Sequence, residues 1–419
     1  MTIQIRGADD AEKFLQTDLT VWADGRLPLP LDTAVLPQEE QRFAAVLDDW
    51  PATEECYAGI YGVYDLELSI PGAQDEILVA PVAGLTWVGV HPDARRRGVL
   101  SAMMRDHFER TAAANSSGLS VLNASEPAIY GRFGYGVAAA KTVASLSTGT
   151  TLEATGLEED AARISTRLVT ARADGVPERM RAAAHAAAMH AHGSVVRELR
   201  TYERFVAEPH EVLYEKEPWQ CFLATENGAD IGYAFFRREP KWDNDQPQGV
   251  VTVELVGTPP AQLALMRRLL SLDLMSTVKI SPRPTDDVLR AWLGSERGVI
   301  GPSVDNLWLR FVDLPKAMSL RGYTGPGEVV IEVADEVLPD QGGRWLLTAT
   351  AHGQGGVERT DRAADLSLTT QQLASAYLGA GGLPTLHRGG LLTEQRDGAV
   401  VELEHMMRTA AGPAGSVGF

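Results

Sequence analysis

The sequence predicts an α/β protein, α+β in its last part, built from three blocks in tandem, and three observations carry this reading. Segments with strand-like alternation give way to helical periodicity once before residue 150 and again after it. A chain of 419 residues is too long for one hydrophobic core and, at roughly 100 to 200 residues per domain, divides into two to four. Hydrophobic residues make up 44% and charged residues 22%, the balance of a folded globular chain, which sets disorder aside.

The first block covers residues 1–150. Asp65, Leu66, Glu67, Leu68, Ser69 and Ile70 alternate up to a turn at Pro71 and Gly72, which reads as a strand with one wet face. A second strand is predicted from Leu85 to Val90. An arginine-rich turn follows, then a helix whose Leu100, Met103, Met104 and Phe108 share one face. A strand from Leu119 to Asn123 and a short helix through Ile129 and Tyr130 lead into Gly131-Arg132-Phe133-Gly134-Tyr135-Gly136. Residues 146–160 lose apolar periodicity and mark the first boundary.

The second block, residues 151–297, runs helix, hairpin (Cys221 to Thr225 and Ile231 to Phe236), strand (Val250 to Val256), helix (Ala261 to Leu274) and strand. The third, residues 298–419, adds a strand from Leu307, a hairpin from Val329 to Ala351 and helices near 370–378 and 398–408. Thr369 with Gln372 three residues later predicts a capping box at the first of these helices.

A formal charge of −18 opposes a phosphate backbone and excludes nucleic acid as the expected partner, while favouring the approach of a cationic amine. The N-terminus has neither a basic start nor an apolar run of signal-peptide length, and no stretch reaches the roughly 18 apolar residues of a membrane span, so a cytoplasmic protein is expected. Cys56 and Cys221 lie far apart in apolar segments and read as buried hydrophobes. His185, His190 and His192 lack the carboxylate or cysteine spacing of a metal site, so no metal is expected.

The chemistry is concentrated in His91-Pro92-Asp93-Ala94-Arg95-Arg96-Arg97-Gly98-Val99-Leu100-Ser101, which sets basic residues and a glycine between a strand and a helix start. Unpaired N–H groups at a helix start suit a pyrophosphate, and Gly98 lets backbone approach it. One strand and one helix further on stands Ala124-Ser125-Glu126-Pro127-Ala128-Ile129-Tyr130-Gly131-Arg132-Phe133-Gly134-Tyr135-Gly136.

The R-x-x-G from Arg95 to Gly98 resembles the acetyl-CoA signature of the GCN5-related N-acetyltransferases (GNAT), with Leu100 where that pattern carries Gly or Ala. Taken together, the two segments resemble the Eis (enhanced intracellular survival) family, and the likeness extends more loosely over the whole chain to the terminal phenylalanine. The resemblance implies tandem GNAT domains followed by a sterol-carrier-like domain, assembly as a homohexamer, and acetylation of amines of aminoglycosides or of lysine side chains. It implies acetyl-CoA contacts from Val88, Gly89, Val90, Arg96, Arg97, Gly98, Val99, Leu100, Ser101, Ser125 and Glu126. It further implies Tyr130 as general acid and Phe419, through its terminal carboxylate, as general base.

The chemistry needs such groups, because one proton must leave the amine and the departing thiolate must be stabilised. A phenol with pKa near 10 can protonate a thiolate of similar basicity. An α-carboxylate near pKa 3.5 is a weak base unless burial raises it, and a frayed terminus is the alternative fate of Phe419. Tyr135 reads as part of the next strand. In the second block the equivalent strand-to-helix turn holds Pro259 and Pro260, which remove the N–H groups a pyrophosphate would need, so one cofactor site per chain is expected. A sterol-carrier-like block also raises a rival from another class, a lipid-binding or scaffolding protein with a vestigial transferase site.

Overall fold

The computed structural model describes residues 2–22, 36–51, 55–114, 117–207, 217–295, 297 and 299–419. Its first block contributes β1 (Ile3–Gly7), β2 (Arg42–Leu47), β3 (Gly59–Pro71), β4 (Ile77–Val90), β5 (Leu119–Asn123) and β6 (Gly136–Ser147), with helices α1 (Ala11–Trp22), α2 (Val99–Ala114) and α3 (Pro127–Tyr130). The central block adds β7 (Ser165–Thr170), β8 (Val195–Val196), β9 (Gln220–Glu226), β10 (Ala229–Glu239), a short hairpin of β11 (Trp242–Asp243) and β12 (Gln246–Pro247), β13 (Gly249–Gly257), β14 (Met275–Arg283) and β15 (Val304–Phe311). The last block carries β16 (Gly327–Ala334), β17 (Gly343–Ala349), β18 (Gly355–Arg359), β19 (Leu366–Thr369) and β20 (Thr393–Glu394).

Among the described residues the first two blocks share one sheet in the order β1-β2-β3-β4-β5-β15-β6-β14-β13-β10-β9-β7, with β8 attached to β3. The joint is β6, whose first half (Gly136 to Lys141) pairs with β15 and whose second half (Thr142 to Ser147) pairs with β14. The sequence places the start of the third block at residue 298, yet β15 lies inside the large sheet. The changeover therefore follows Phe311. The reason is non-local: β15 pairs with β5 and β6, whose side chains lie far upstream, and nothing in its local pattern records that pairing.

One face of the first block is closed by α2, whose Val99, Met103, Met104 and Phe108 bury against Tyr61, Leu85, Leu122 and Tyr135. Leu100, assigned to the same face by periodicity, is only half-buried and turns toward the cleft described below. The other face, with Leu66, Leu68, Ile70, Leu309 and Phe311, shares a single core with Val329, Leu347, Leu373 and Met406 of the last block. The last block thus has no separate apolar interior. It is packed onto the large sheet, and each fully buried side chain of this size contributes about 1.5–3 kcal/mol of transfer free energy.

Local signals materialise where they are strong. Asn227 and Gly228 both take left-handed φ (51° and 83°) in the two-residue turn between β9 and β10. Thr369 accepts from the Gln372 N–H at 3.2 Å while Gln372 Oε1 accepts from the Thr369 N–H at 2.8 Å, completing the capping box. Cys56 and Cys221 are both buried free thiols. No helix among the described residues is long and apolar enough to cross a membrane, and no group of three or more His, Cys, Asp or Glu among them could hold a metal ion.

Candidate functional site

The cleft is built by two parallel strands that part. β4 and β5 pair only at Ala83 with Ser120 and Gly84 with Val121, so beyond Gly84 they diverge. β4 is also bulged there: Ile60 faces Gly89 and Gly62 faces Thr86, leaving Trp87 and Val88 opposite Tyr61 alone. Trp87 takes φ 52° to make the bulge. An extra residue in one strand leaves main-chain groups outside the ladder and redirects them, here toward the opening wedge.

A cavity of about 480 Å³ occupies that wedge. β4 contributes Val88, Gly89 and Val90 to it, the segment after β5 contributes Ser125 and Glu126, and the start of α2 contributes Arg96, Gly98, Val99, Leu100 and Ser101. The first helical hydrogen bond of α2 runs from Ala102 N–H to Gly98 carbonyl at 3.0 Å. The N–H groups of Val99, Leu100 and Ser101 therefore precede the helical ladder and are available to an anion. Arg96 and Gly98 take left-handed φ of 60° and 84° on either side of Arg97, a backbone that gathers N–H groups into a concavity suited to phosphate. Arg95 and Arg132 also line the cavity and add positive charge.

One of the sequence expectations changes here. Arg97 does not line the cavity: its Nη2 lies 2.6 Å from both Asp49 carboxylate oxygens and holds that carboxyl below its usual range. Gly98 is not crowded, since a Cβ there would meet only Ile3 Cδ1 at 3.7 Å. Within the chain, the glycine answers to the left-handed φ of the turn.

Tyr130, the last residue of α3, is half-buried at the far wall of the same cavity. Burial, with the Glu126 carboxylate adding to it, pushes its phenol up to about 12. Such a group keeps its proton through the neutral and alkaline range. Tyr135 is fully buried but stands just before β6, which begins at Gly136 rather than including it; its ring meets that of Tyr130 edge-on at 6.1 Å. Behind them a buried chain runs from Tyr135 hydroxyl to Ser120 Oγ at 2.7 Å and from Ser120 Oγ to His107 Nε2 at 2.8 Å.

His107 is held neutral by this burial, which pushes it down to about 3 against the opposing pull of Asp106. Its folded pKa lies below its unfolded value of about 6.5, so its contribution to stability is fully present above pH 6.5 and is lost as pH falls toward 3. The loss reaches up to about 5 kcal/mol. The difference in urea midpoint between wild type and His107→Gln is expected to shrink from pH 7 to pH 4; a constant difference would show that His107 charges without cost.

The glycines of Gly131 to Gly136 respond to the last block, not to a phosphate. A Cβ on Gly136 would sit 2.0 Å from the Gln371 carbonyl oxygen, and one on Gly134, itself at φ 84°, would sit 2.9 Å from Arg310 Cζ. The helix Thr370–Ala376 is therefore seated directly on the turn that carries Tyr130. Beneath it Arg310 of β15 is fully buried, with Nη1 2.6 Å and Nη2 2.9 Å from the Asp335 carboxylate and Nη1 donating to Thr370 Oγ1 at 2.8 Å.

Phe419 is not frayed. Its ring packs against the shared core, with Cε2 3.2 Å from the position a Cβ would take on Gly84, the residue at which β4 and β5 part. Trp22, at the end of α1, lines the cavity and is 46% exposed. The helix that faces the central block's equivalent turn opens on Pro259 and Pro260.

Comparison with known proteins agrees with this construction. Residues 8–138 and 193–311 each match an acetyltransferase (GNAT) domain family, and residues 314–414 match a sterol carrier protein domain. An uncharacterized N-acetyltransferase of Streptomyces coelicolor is 34% identical over 396 residues, covering 91% of each chain. The N-acetyltransferase Eis of Mycobacterium tuberculosis is 31% identical over 353 residues, 80% of this chain and 79% of the other. The crystal structure of Eis1 from Mycobacterium abscessus superposes over 100% of both chains with a TM-score of 0.80 at 27% identity. A GCN5-related N-acetyltransferase from Anabaena variabilis shares the fold at 18% identity, with a TM-score of 0.75. The chain belongs to the Eis-like N-acetyltransferases, enzymes of two GNAT domains followed by a sterol-carrier domain.

Proposed function

We propose that this N-acetyltransferase acetylates amino groups of cationic small molecules of the aminoglycoside or polyamine type, with lysine side chains as further acceptors. Bound acetyl-CoA supplies the thioester and its leaving thiolate. The N–H groups of Val99, Leu100 and Ser101, with Arg96, hold its pyrophosphate, and Val88 to Val90 hold the pantetheine arm along the splayed edge of β4. Tyr130 keeps a proton for the departing sulfur. The Phe419 carboxylate takes the proton that the acceptor nitrogen loses as its bond to the acetyl carbon forms, and solvent restores both groups.

The observation that carries this reading is the cavity in the β4/β5 wedge, which joins the unpaired start of α2 to a high-pKa tyrosine. The formal charge of −18 supports a cationic acceptor. The core shared between the last block and the transferase sheet supports a scaffolding part for that block within the enzyme, against a lipid-carrying protein with a vestigial site. A homohexamer in the cytoplasm remains the expected setting.

The test is thiol release from acetyl-CoA with a polyamine aminoglycoside or a lysine-rich peptide as acceptor. Deleting Phe419 is expected to lower acceptor-dependent kcat by about 10²-fold, the smaller end of the effect of losing a general base, with acetyl-CoA binding retained. Turnover equal to wild type in that variant would remove the base assignment, and no turnover by wild type with either acceptor would remove the substrate class.

A further inference from the structure

The central GNAT domain repeats the architecture of the wedge. β13 and β14 run parallel and pair from Gly249 with Met275 to Val253 with Ile280, then part as β4 and β5 do, and a cavity of about 250 Å³ opens beyond them. In the first block the corresponding opening receives the cofactor. In the central block it is bordered by the chain's own C-terminal tail, with Gly412, Gly415 and Val417 on its wall.

The tail is tied down along this course by residues of the central block and of β15. Gly412 N–H donates to Asp286 Oδ2 at 2.6 Å, and Ala414 N–H donates to the His192 carbonyl at 2.8 Å. Asn306 matches the main chain of Ser416 on both sides, donating from Nδ2 to its carbonyl at 3.0 Å and accepting its N–H at Oδ1 at 2.5 Å. The final tie falls one residue before the end: Arg197 Nε donates to the Gly418 carbonyl at 2.7 Å. Arg197 is 2% exposed, and its two terminal nitrogens are held by Glu254 at 2.8 and 2.6 Å. Tyr233 hydroxyl donates to Glu254 in turn at 2.7 Å.

We infer that the central domain, having lost the N–H groups of a cofactor turn to Pro259 and Pro260, serves as the berth of the C-terminal tail, and that Arg197 is the residue that positions Phe419. This rests on the reading of Phe419 as general base. The Glu254 partner matters to the chemistry. It neutralises the guanidinium, so Arg197 grips the last peptide by a directed hydrogen bond without presenting a net positive charge that would make the neighbouring carboxylate a still weaker base. Arg197 acts through Phe419, not on substrate.

Two readouts separate the berth from the base. Carboxypeptidase A, which removes C-terminal aromatic residues, reports by intact mass how often the tail leaves its berth; steady-state kinetics report what that departure does. Arg197→Lys keeps a cation for Glu254 but cannot hold Glu254 and the Gly418 carbonyl together. It is expected to release Phe419 about tenfold faster or more, as for loss of a hydrogen bond to a charged group, and to lower kcat while KM for acetyl-CoA stays constant.

Release at the wild-type rate would overturn the inference. Faster release with unchanged kcat would leave the berth standing and overturn the base reading instead. Should Arg197→Lys fail to fold, Asp286→Ala, a change at an exposed side chain, decides: faster release than wild type supports the berth, and an unchanged rate overturns it.

Discussion

Tyr130→Phe is expected to lower kcat for acetyl transfer about 10²- to 10⁴-fold, the range spanned by loss of a general acid, while the dissociation constant of acetyl-CoA stays unchanged. The ring remains against Tyr135 and on the cavity wall, so packing and cofactor contacts survive and only the proton is removed. The pH profile offers a second readout. Because burial and Glu126 push the phenol up to about 12, the alkaline limb of kcat should lie above that of a free phenol near pH 10. Glu126→Gln removes the negative charge that disfavours phenolate, so the limb should move down in pH. A limb already at pH 10 in wild type, or a Tyr130→Phe enzyme with full kcat, would leave the proton donor to be found elsewhere.

Asp335→Ala is expected to cost about 3–5 kcal/mol, because it strands the fully buried Arg310 guanidinium without its counter-charge. The loss should appear as a lower urea midpoint of the unit containing the large sheet. Replacing both partners, Arg310→Met with Asp335→Leu, should recover most of it, since a buried ion pair exchanged for apolar side chains of similar volume is close to neutral. The single variant should also lose turnover before it loses its fold, because Arg310 underlies Gly134 in the turn after Tyr130. A cost below about 1 kcal/mol, the level of an exposed pair, would show that the shared apolar core alone holds the last block in place.

These two residues also mark what the sequence could and could not convey. The cavity residues were legible because their signals are local: a strand, a basic turn with a left-handed glycine, and a helix start fall within fourteen consecutive positions, and the capping box at Thr369 and Gln372 spans four. The turn of the Arg97 side chain away from the cavity was not legible, because its partner Asp49 lies 48 positions away and nothing in the arginine run distinguishes the one captured by a carboxylate from those facing the cavity. The crowding of Gly136 by the Gln371 carbonyl oxygen was equally invisible, since Gln371 lies far along the chain. Arg197 carried no signal at all, being one arginine after a two-residue strand, until Glu254 and the Gly418 carbonyl were brought to it by the fold. The boundary at 298 failed for the same reason: register between β15, β5 and β6 is a property of the sheet, not of the eight residues in the strand.

The insertion of β15 between β5 and β6 also has a consequence for synthesis. The strand that completes the catalytic sheet emerges from the ribosome only after the whole central block, roughly ten to thirty seconds behind the end of β6 at 5–20 residues per second. Until then β5 and β6 present open edges on a nascent chain, the hazard that chaperones manage. The enzyme is correspondingly hard to shuffle as a cassette: a gene fragment ending at residue 150 would encode the acetyl-CoA turn and Tyr130 yet lack the strand that closes the sheet between them and the last block.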